Sequence, residues 1–268
     1  MNIIKSASKL FNAIREEEES LPVWENCGSE FFHNDDKSAI GALLIHGFGS
    51  SPPEMKDLRE FLFDKGINVL SIRLAGHATT YEDFSKSGKK SWLESVIKAY
   101  DIINLVSYKT FIIGQSLGAG LALILAPELE PAGIVSFATP LLMRDKRLLF
   151  TSFRIARLFF PYVYTKSKSD IEYFIYKKRP TTALSEMYKV SKSILPVLPN
   201  LKLPLFIAHA ENDETVDPIS MDIAYNKVGA EIKELYMMKN GGHRLTLAEN
   251  PDRNVLFSKT IHFMESNS

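Results

Sequence analysis

Short apolar runs rich in Val, Ile and Leu recur along the chain at 39–46, 67–72, 110–113, 133–137, 203–209 and 232–238, and the segments between them carry helical spacing at 54–65, 92–105, 116–125, 217–228 and 254–265. This alternation narrows the fold more than any other feature. Runs that are apolar almost throughout, rather than at every second position, read as strands buried on both faces, and such strands belong to a largely parallel sheet covered by helices. The expected fold class is therefore α/β. A chain of 268 residues is long enough to bury one large core. It carries no internal repeat and no low-complexity tract.

One interval breaks the rhythm. Between residues 141 and 202 roughly sixty positions separate two strands that a plain crossover joins with far fewer. The excess is an insertion, and its place makes it a candidate lid. The expected organisation is an N-terminal helical extension over 1–30, a core over 31–140 and 203–268, and the lid over 141–202. The first twenty residues, MNIIKSASKLFNAIREEEES, place Ile3, Ile4, Leu10, Phe11 and Ile14 at amphipathic spacing, without the unbroken apolar stretch of a signal peptide or spanning helix. They read as a short helix ending in a solvated acidic run. Lys plus Arg and Asp plus Glu both number 32, so net charge gives no general attraction for nucleic acid. The single cysteine, Cys27, excludes an intrachain disulfide and a cysteine-rich metal site, and the expected location is cytoplasmic.

The stretch FIIGQSLGAGLALILA, residues 111–126, sets Ser116 between Gly114 and Gly118 where one apolar run ends and a helical one begins. Strand, G-x-S-x-G, helix is the pattern of a nucleophile elbow, a turn so sharp that side chains two positions to either side of the serine would collide. A packing or turn serine is the competing reading. Upstream, the run A-I-G-A-L-L-I-H leads into H-G-F-G-S-S-P-P, a glycine-rich loop able to aim backbone N–H groups at a developing oxyanion. The elbow geometry makes Leu117 one such donor, and Phe48 would be the other; His46 orients this loop rather than reacting.

An acid and a histidine are expected downstream, each just after a strand. After L-P-L-F-I-A-H-A comes E-N-D-E-T-V-D-P, and after E-L-Y-M-M-K comes N-G-G-H-R-L. His243 follows two glycines in a polar loop, which suits a base. His33 and His262 lie near the chain ends, His77 in a loop before the serine, and His209 inside an expected strand. Of two candidate acids, Asp217 precedes Pro218 and a helical pattern and so resembles an N-cap, whereas Asp213 lies nearer the strand end, within reach of the histidine loop. The catalytic candidates are thus Ser116, Asp213 and His243.

With these residues in place the chain resembles the α/β-hydrolase superfamily, and within it bacterial carboxylesterases and monoacylglycerol lipases. The likeness runs from about Phe31 to Phe263 through H-G-F-G, R-L-A-G-H, G-Q-S-L-G, A-E-N-D-E-T-V-D-P and G-G-H-R-L-T-L. The resemblance implies the α/β-hydrolase fold, Asp213 as the acid, and an oxyanion hole from the N–H groups of Phe48 and Leu117. Two departures are Ala78, where the family often has glycine, and Ala119, where it often has a second one. Residues 1–30 have no counterpart in it.

The implied chemistry is hydrolysis of a carboxylic ester through an acyl-enzyme on Ser116, and it requires no cofactor and no metal. No HExxH cluster or dinucleotide G-x-G-x-x-G fingerprint is present. Residues 141–180 hold ten Lys/Arg against three Asp/Glu, interleaved with nine Phe and Tyr. Written as a helix, 148–160 puts Leu149, Phe153, Ala156 and Phe160 on one side and Arg154 and Arg157 on the other, and Pro161 stops it. The plain reading is a helix packed on the core with a solvated basic face. In the sharper one Phe153 and Phe160 bind the acyl chain of a small ester or monoacylglycerol while the basic face meets an anionic lipid surface or an acidic substrate. The same triad would serve a thioesterase, an amidase or an acyltransferase, and an idle scaffold that binds an apolar ligand is the rival of another class.

Overall fold

The computed structural model describes residues 2–34, 39–144, 160–164 and 174–268. In chain order the strands are β1 (Glu30–Phe32), β2 (Gly41–Ile45), β3 (Asn68–Ile72), β4 (Thr110–Gln115), β5 (Gly133–Phe137), β6 (Tyr162–Tyr164), β7 (Lys178–Pro180), β8 (Leu205–Ala210) and β9 (Lys233–Met238). The α-helices are α1 (Asn2–Glu19), α2 (Lys56–Asp64), α3 (Tyr81–Lys86), α4 (Lys89–Leu105), α5 (Leu117–Leu129), α6 (Thr181–Ile194), α7 (Ile219–Lys227) and α8 (Arg253–Ser266).

Seven strands form one sheet in the order β1-β3-β2-β4-β5-β8-β9, parallel throughout except for β1, which runs antiparallel to β3 at one edge. The inner strands β2, β3, β4, β5 and β8 are buried at every position, the condition their continuous apolar runs meet. Successive side chains point to opposite faces. Leu43, Ile45, Leu70, Ile72, Ile112, Ile134 and Ile207 therefore pack into one core with Trp92, Val96, Leu121 and Val190 of the helices on that side. Ala42, Leu44, Val69, Ile113, Val135, Phe137 and Phe206 pack into a second core with Leu58, Leu62, Phe257 and Phe263. Each fully buried Leu or Phe in these layers contributes roughly 1.5–3 kcal/mol. Every expected strand and helix of the core is present within a few residues. The helix expected over 54–65 is preceded by and opens through a 3₁₀ turn, Pro52–Met55, of the kind common at helix N-termini.

The acidic run of α1 is solvated as expected at Glu16, Glu17 and Glu19 but not at Glu18. Glu18 is buried and accepts hydrogen bonds from Ser29 N (2.9 Å), Ser29 Oγ (2.7 Å) and Arg73 Nε (3.2 Å), an ion pair between two side chains each 5 % exposed. The helix also lays Ala7, Phe11 and Ile14 against the core beside α4. Within the inserted residues, β6 and β7 pair antiparallel, and α6 packs Val190 and Ile194 against Gly120 of α5. All of the helix expected over 148–160 except Phe160, and with it Phe153, Arg154 and Arg157, lies outside the described residues. Among the described residues no helix is long and apolar enough to cross a membrane.

Candidate active site

β4 ends at Gln115, and the chain turns through Ser116 at φ 52°, ψ −108° before α5 begins at Leu117. A serine at positive φ is strained, and the strain persists only where its surroundings hold it. A Cβ on Gly114 would overlap the backbone of Gly118 and Ala119, and one on Gly118 the carbonyl of Ile45, so no other residue fits either place. Ser116 donates its N–H to Phe137 O on β5 at 2.8 Å and is 3 % exposed.

β8 ends three residues before Asp213, which turns its carboxylate back toward the loop following β9. Its Oδ1 accepts from Thr215 N (2.8 Å) and Val216 N (2.9 Å), and its Oδ2 lies 2.8 Å from His243 Nδ1. Burial pushes this carboxyl up, but the His243 imidazole, the His209 ring and the Val216 N–H outweigh burial and hold it well below the usual carboxylate range. An ionised carboxylate can only accept, so Nδ1 of His243 carries the proton and Nε2 is left as an acceptor. Asp217 does the local job expected of it: its Oδ1 accepts from Ile219 N at 3.2 Å and caps α7.

The H-G-F-G loop leaves β2 beside the elbow. His46 is fully buried, its Nδ1 2.9 Å from Gly47 O and its Nε2 accepting from Leu74 N at 3.1 Å, so the ring is neutral with its proton on Nδ1 and ties the ends of β2 and β3 together. Burial holds its pKa down to about 4, with the Gly47 carbonyl opposing and Arg73 assisting. Gly47 N donates to the buried carboxylate of Glu54 at 2.6 Å, and Thr246 Oγ1 in the histidine loop donates to Glu54 O at 2.7 Å. Glu54 thus joins the two loops. The Phe48 ring is clasped by Phe84, Trp92 and His77, with Arg179 of β7 above it. Among the described residues nothing accepts from the Phe48 N–H, and the Leu117 N–H, at the start of α5, has no partner within its helix.

Sequence reasoning passed over three buried polar residues here. His209, read as a strand residue, is fully buried, with Nε2 3.0 Å from Asp213 Oδ2. The ring thus sits against the same carboxylate oxygen that faces His243. Glu54 was hidden inside an expected helix. Gln115 occupies a motif position that tolerates many residues, and its side chain donates to His243 O at 2.8 Å.

The family model described as serine aminopeptidase, S33, matches residues 38–250. The chain belongs to that family of α/β-hydrolases. Within the family's reach, the chain is 27 % identical over 239 residues to a thermostable monoacylglycerol lipase of Bacillus sp. (strain H-257), covering 88 % of this chain and 94 % of that one. A carboxylesterase of Bacillus subtilis (strain 168) is 23 % identical over 237 residues, covering 87 % and 94 %. Among solved structures, one from a study of the metagenome-derived lipolytic enzymes LipS and LipT superimposes with a TM-score of 0.83 at 24 % identity, over 91 % of this chain and 99 % of that one. A soluble variant of the Saccharomyces cerevisiae monoglyceride lipase, solved with a substrate analogue, gives 0.77 at 14 % identity, over 90 % and 91 %. These last two likenesses establish the fold. Of the two aromatic residues expected to bind substrate, Phe160 is 68 % exposed and Phe153 lies outside the described residues.

Proposed function

We propose that this carboxylic ester hydrolase works by acyl transfer to Ser116. The observation that carries the reading is the 2.8 Å contact between His243 Nδ1 and Asp213 Oδ2, which leaves Nε2 free to take a proton beside the strained elbow. Ser116 Oγ attacks the ester carbonyl while His243 Nε2 accepts its proton, and the imidazolium then protonates the departing alcohol. Asp213 keeps the tautomer and stabilises the imidazolium. The N–H groups of Phe48 and Leu117 receive the oxyanion, and water, deprotonated by the same histidine, releases the acid. The inserted residues act as a lid whose apolar side, including Phe153 and Phe160, meets the acyl chain of a short- to medium-chain ester or a monoacylglycerol, and whose basic side meets an anionic surface. The monoacylglycerol lipase and carboxylesterase relatives support this substrate class.

The family description makes amide cleavage the competing reaction. An aminopeptidase must hold a free substrate amine, and the buried carboxylates of the site, Asp213 and Glu54, are already engaged by His243 and by Gly47 N. A series of p-nitrophenyl esters from acetate to laurate, run beside aminoacyl p-nitroanilides, tests the assignment. Ester turnover that disappears in Ser116→Ala is expected. Hydrolysis of no ester at any chain length, or anilide turnover exceeding ester turnover, would overturn it.

A further inference from the structure

We propose that Gln115 is a positioning residue that keys the His243 loop to the nucleophile elbow, an inference that rests on the acyl-transfer reading and extends it to a residue with no assigned role. Gln115 is fully buried at the last position of β4, next to Ser116. Its Nε2 donates to His243 O at 2.8 Å and its Oε1 accepts from Leu245 N at 3.3 Å. The partners fix which end of the amide is which, since a carbonyl only accepts and a backbone N–H only donates. The two bonds bracket Arg244 and hold the main chain on both sides of it, across sequence separations of 128 and 130 residues.

The loop needs such a hold. It is entered through Gly241, at φ 144°, and Gly242, around whose Cβ position no atom lies within 4 Å. Its other anchors come from different directions: Gly242 N donates to Asn250 Oδ1 at 2.8 Å, and Thr246 Oγ1 bonds Glu54 O. Among the described residues only Gln115 joins the loop by side-chain hydrogen bonds to the strand that carries the nucleophile. Proton transfer from serine to histidine depends on their separation to a fraction of an ångström, and a loop free to drift by one loses much of the rate. Neither bond touches a substrate, so Gln115 acts through His243. A carboxylate there could accept from Leu245 N but not donate to His243 O, and an apolar side chain of the same length could do neither.

The test uses the full chain carrying Gln115→Met or Gln115→Glu. Thermal unfolding first establishes that each variant folds; Gln115→Glu, which keeps one bond, serves if Gln115→Met does not. With p-nitrophenyl butyrate, kcat is expected to fall on the order of 100-fold in Gln115→Met, and less in Gln115→Glu, with KM nearly unchanged. Independently of turnover, the low-field proton resonance of His243 Nδ1–H, identified by its loss in His243→Ala, should broaden or move in Gln115→Met. A purely structural glutamine would lower the unfolding temperature and leave both kcat and the resonance as they were. Folded variants with wild-type kcat and a wild-type resonance overturn the proposal. Should the unsubstituted protein hydrolyse no ester, the acyl-transfer reading fails, and the resonance alone then judges whether Gln115 positions His243.

Discussion

Single side chains carry the sharpest consequences. Asp213 and Asp217 lie four positions apart, yet one faces His243 and the other caps α7. Asp213→Asn should lower kcat by about 10³–10⁴-fold by disturbing the imidazole tautomer. Asp217→Asn should keep kcat and change stability by no more than about 1 kcal/mol. Steady-state kinetics and urea unfolding of the two proteins check the ranking. His46 gives a pH prediction. Its folded pKa is held down to about 4, while an unfolded histidine titrates near pH 6.5. Between those values the unfolded chain binds the extra proton, so stability rises with pH across that window and is lost as pH falls, by up to roughly 3 kcal/mol. Buried His77, also held down by burial, adds to this slope, whereas Glu54, pushed up by burial, opposes it. Below about pH 4 the depressed carboxyl of Asp213 adds a further loss. Urea unfolding from pH 7 to 4.5 should show a shallower slope for His46→Gln than for the wild-type chain; equal slopes would refute the assignment. The histidine and serine were legible in the sequence because glycines flank both. His209 and Glu54 were not, because what sets a buried polar side chain apart is its partner, Asp213 for one and Gly47 N for the other, and nothing in the sequence marks those contacts.

Elements were read well where period decided them and poorly where tertiary contacts did. The continuous apolar runs of β2, β4, β5 and β8 could only be strands buried on both faces. The amphipathic pattern of α1 was equally plain, but nothing local distinguishes Glu18 from the glutamates beside it. Its burial follows from where the helix crosses Ser29 and Arg73. Removing one partner of a buried ion pair leaves the other charge without compensation, and Glu18→Ala should destabilise the fold by about 3–5 kcal/mol. Because Glu18 bonds Ser29 and Arg73 and none of Ser116, Asp213 and His243, kcat of the folded fraction should remain unchanged. Chemical unfolding paired with active-site titration separates the two effects, and a lost kcat in a folded Glu18→Ala would show that α1 reaches the site.

At the scale of the whole molecule, the parallel sheet brings three distant segments to one end of its strands. Ser116 follows β4, Asp213 follows β8 and His243 follows β9, because these parallel strands all end at the same edge of the sheet. That convergence was legible in the order of the motifs; the pins between the loops, Gln115 and Glu54, were not. Residues 141–202 stood out by length alone, and the pairing of β6 with β7 and helix α6 became visible only in three dimensions. The most direct measurement of the central claim is intact-protein and peptide mass spectrometry after treating the folded protein with a fluorophosphonate. One adduct, on Ser116, formed rapidly by the wild-type chain and not by His243→Ala, is the predicted result. A folded protein that takes no adduct, or takes it at another residue, would contradict the account.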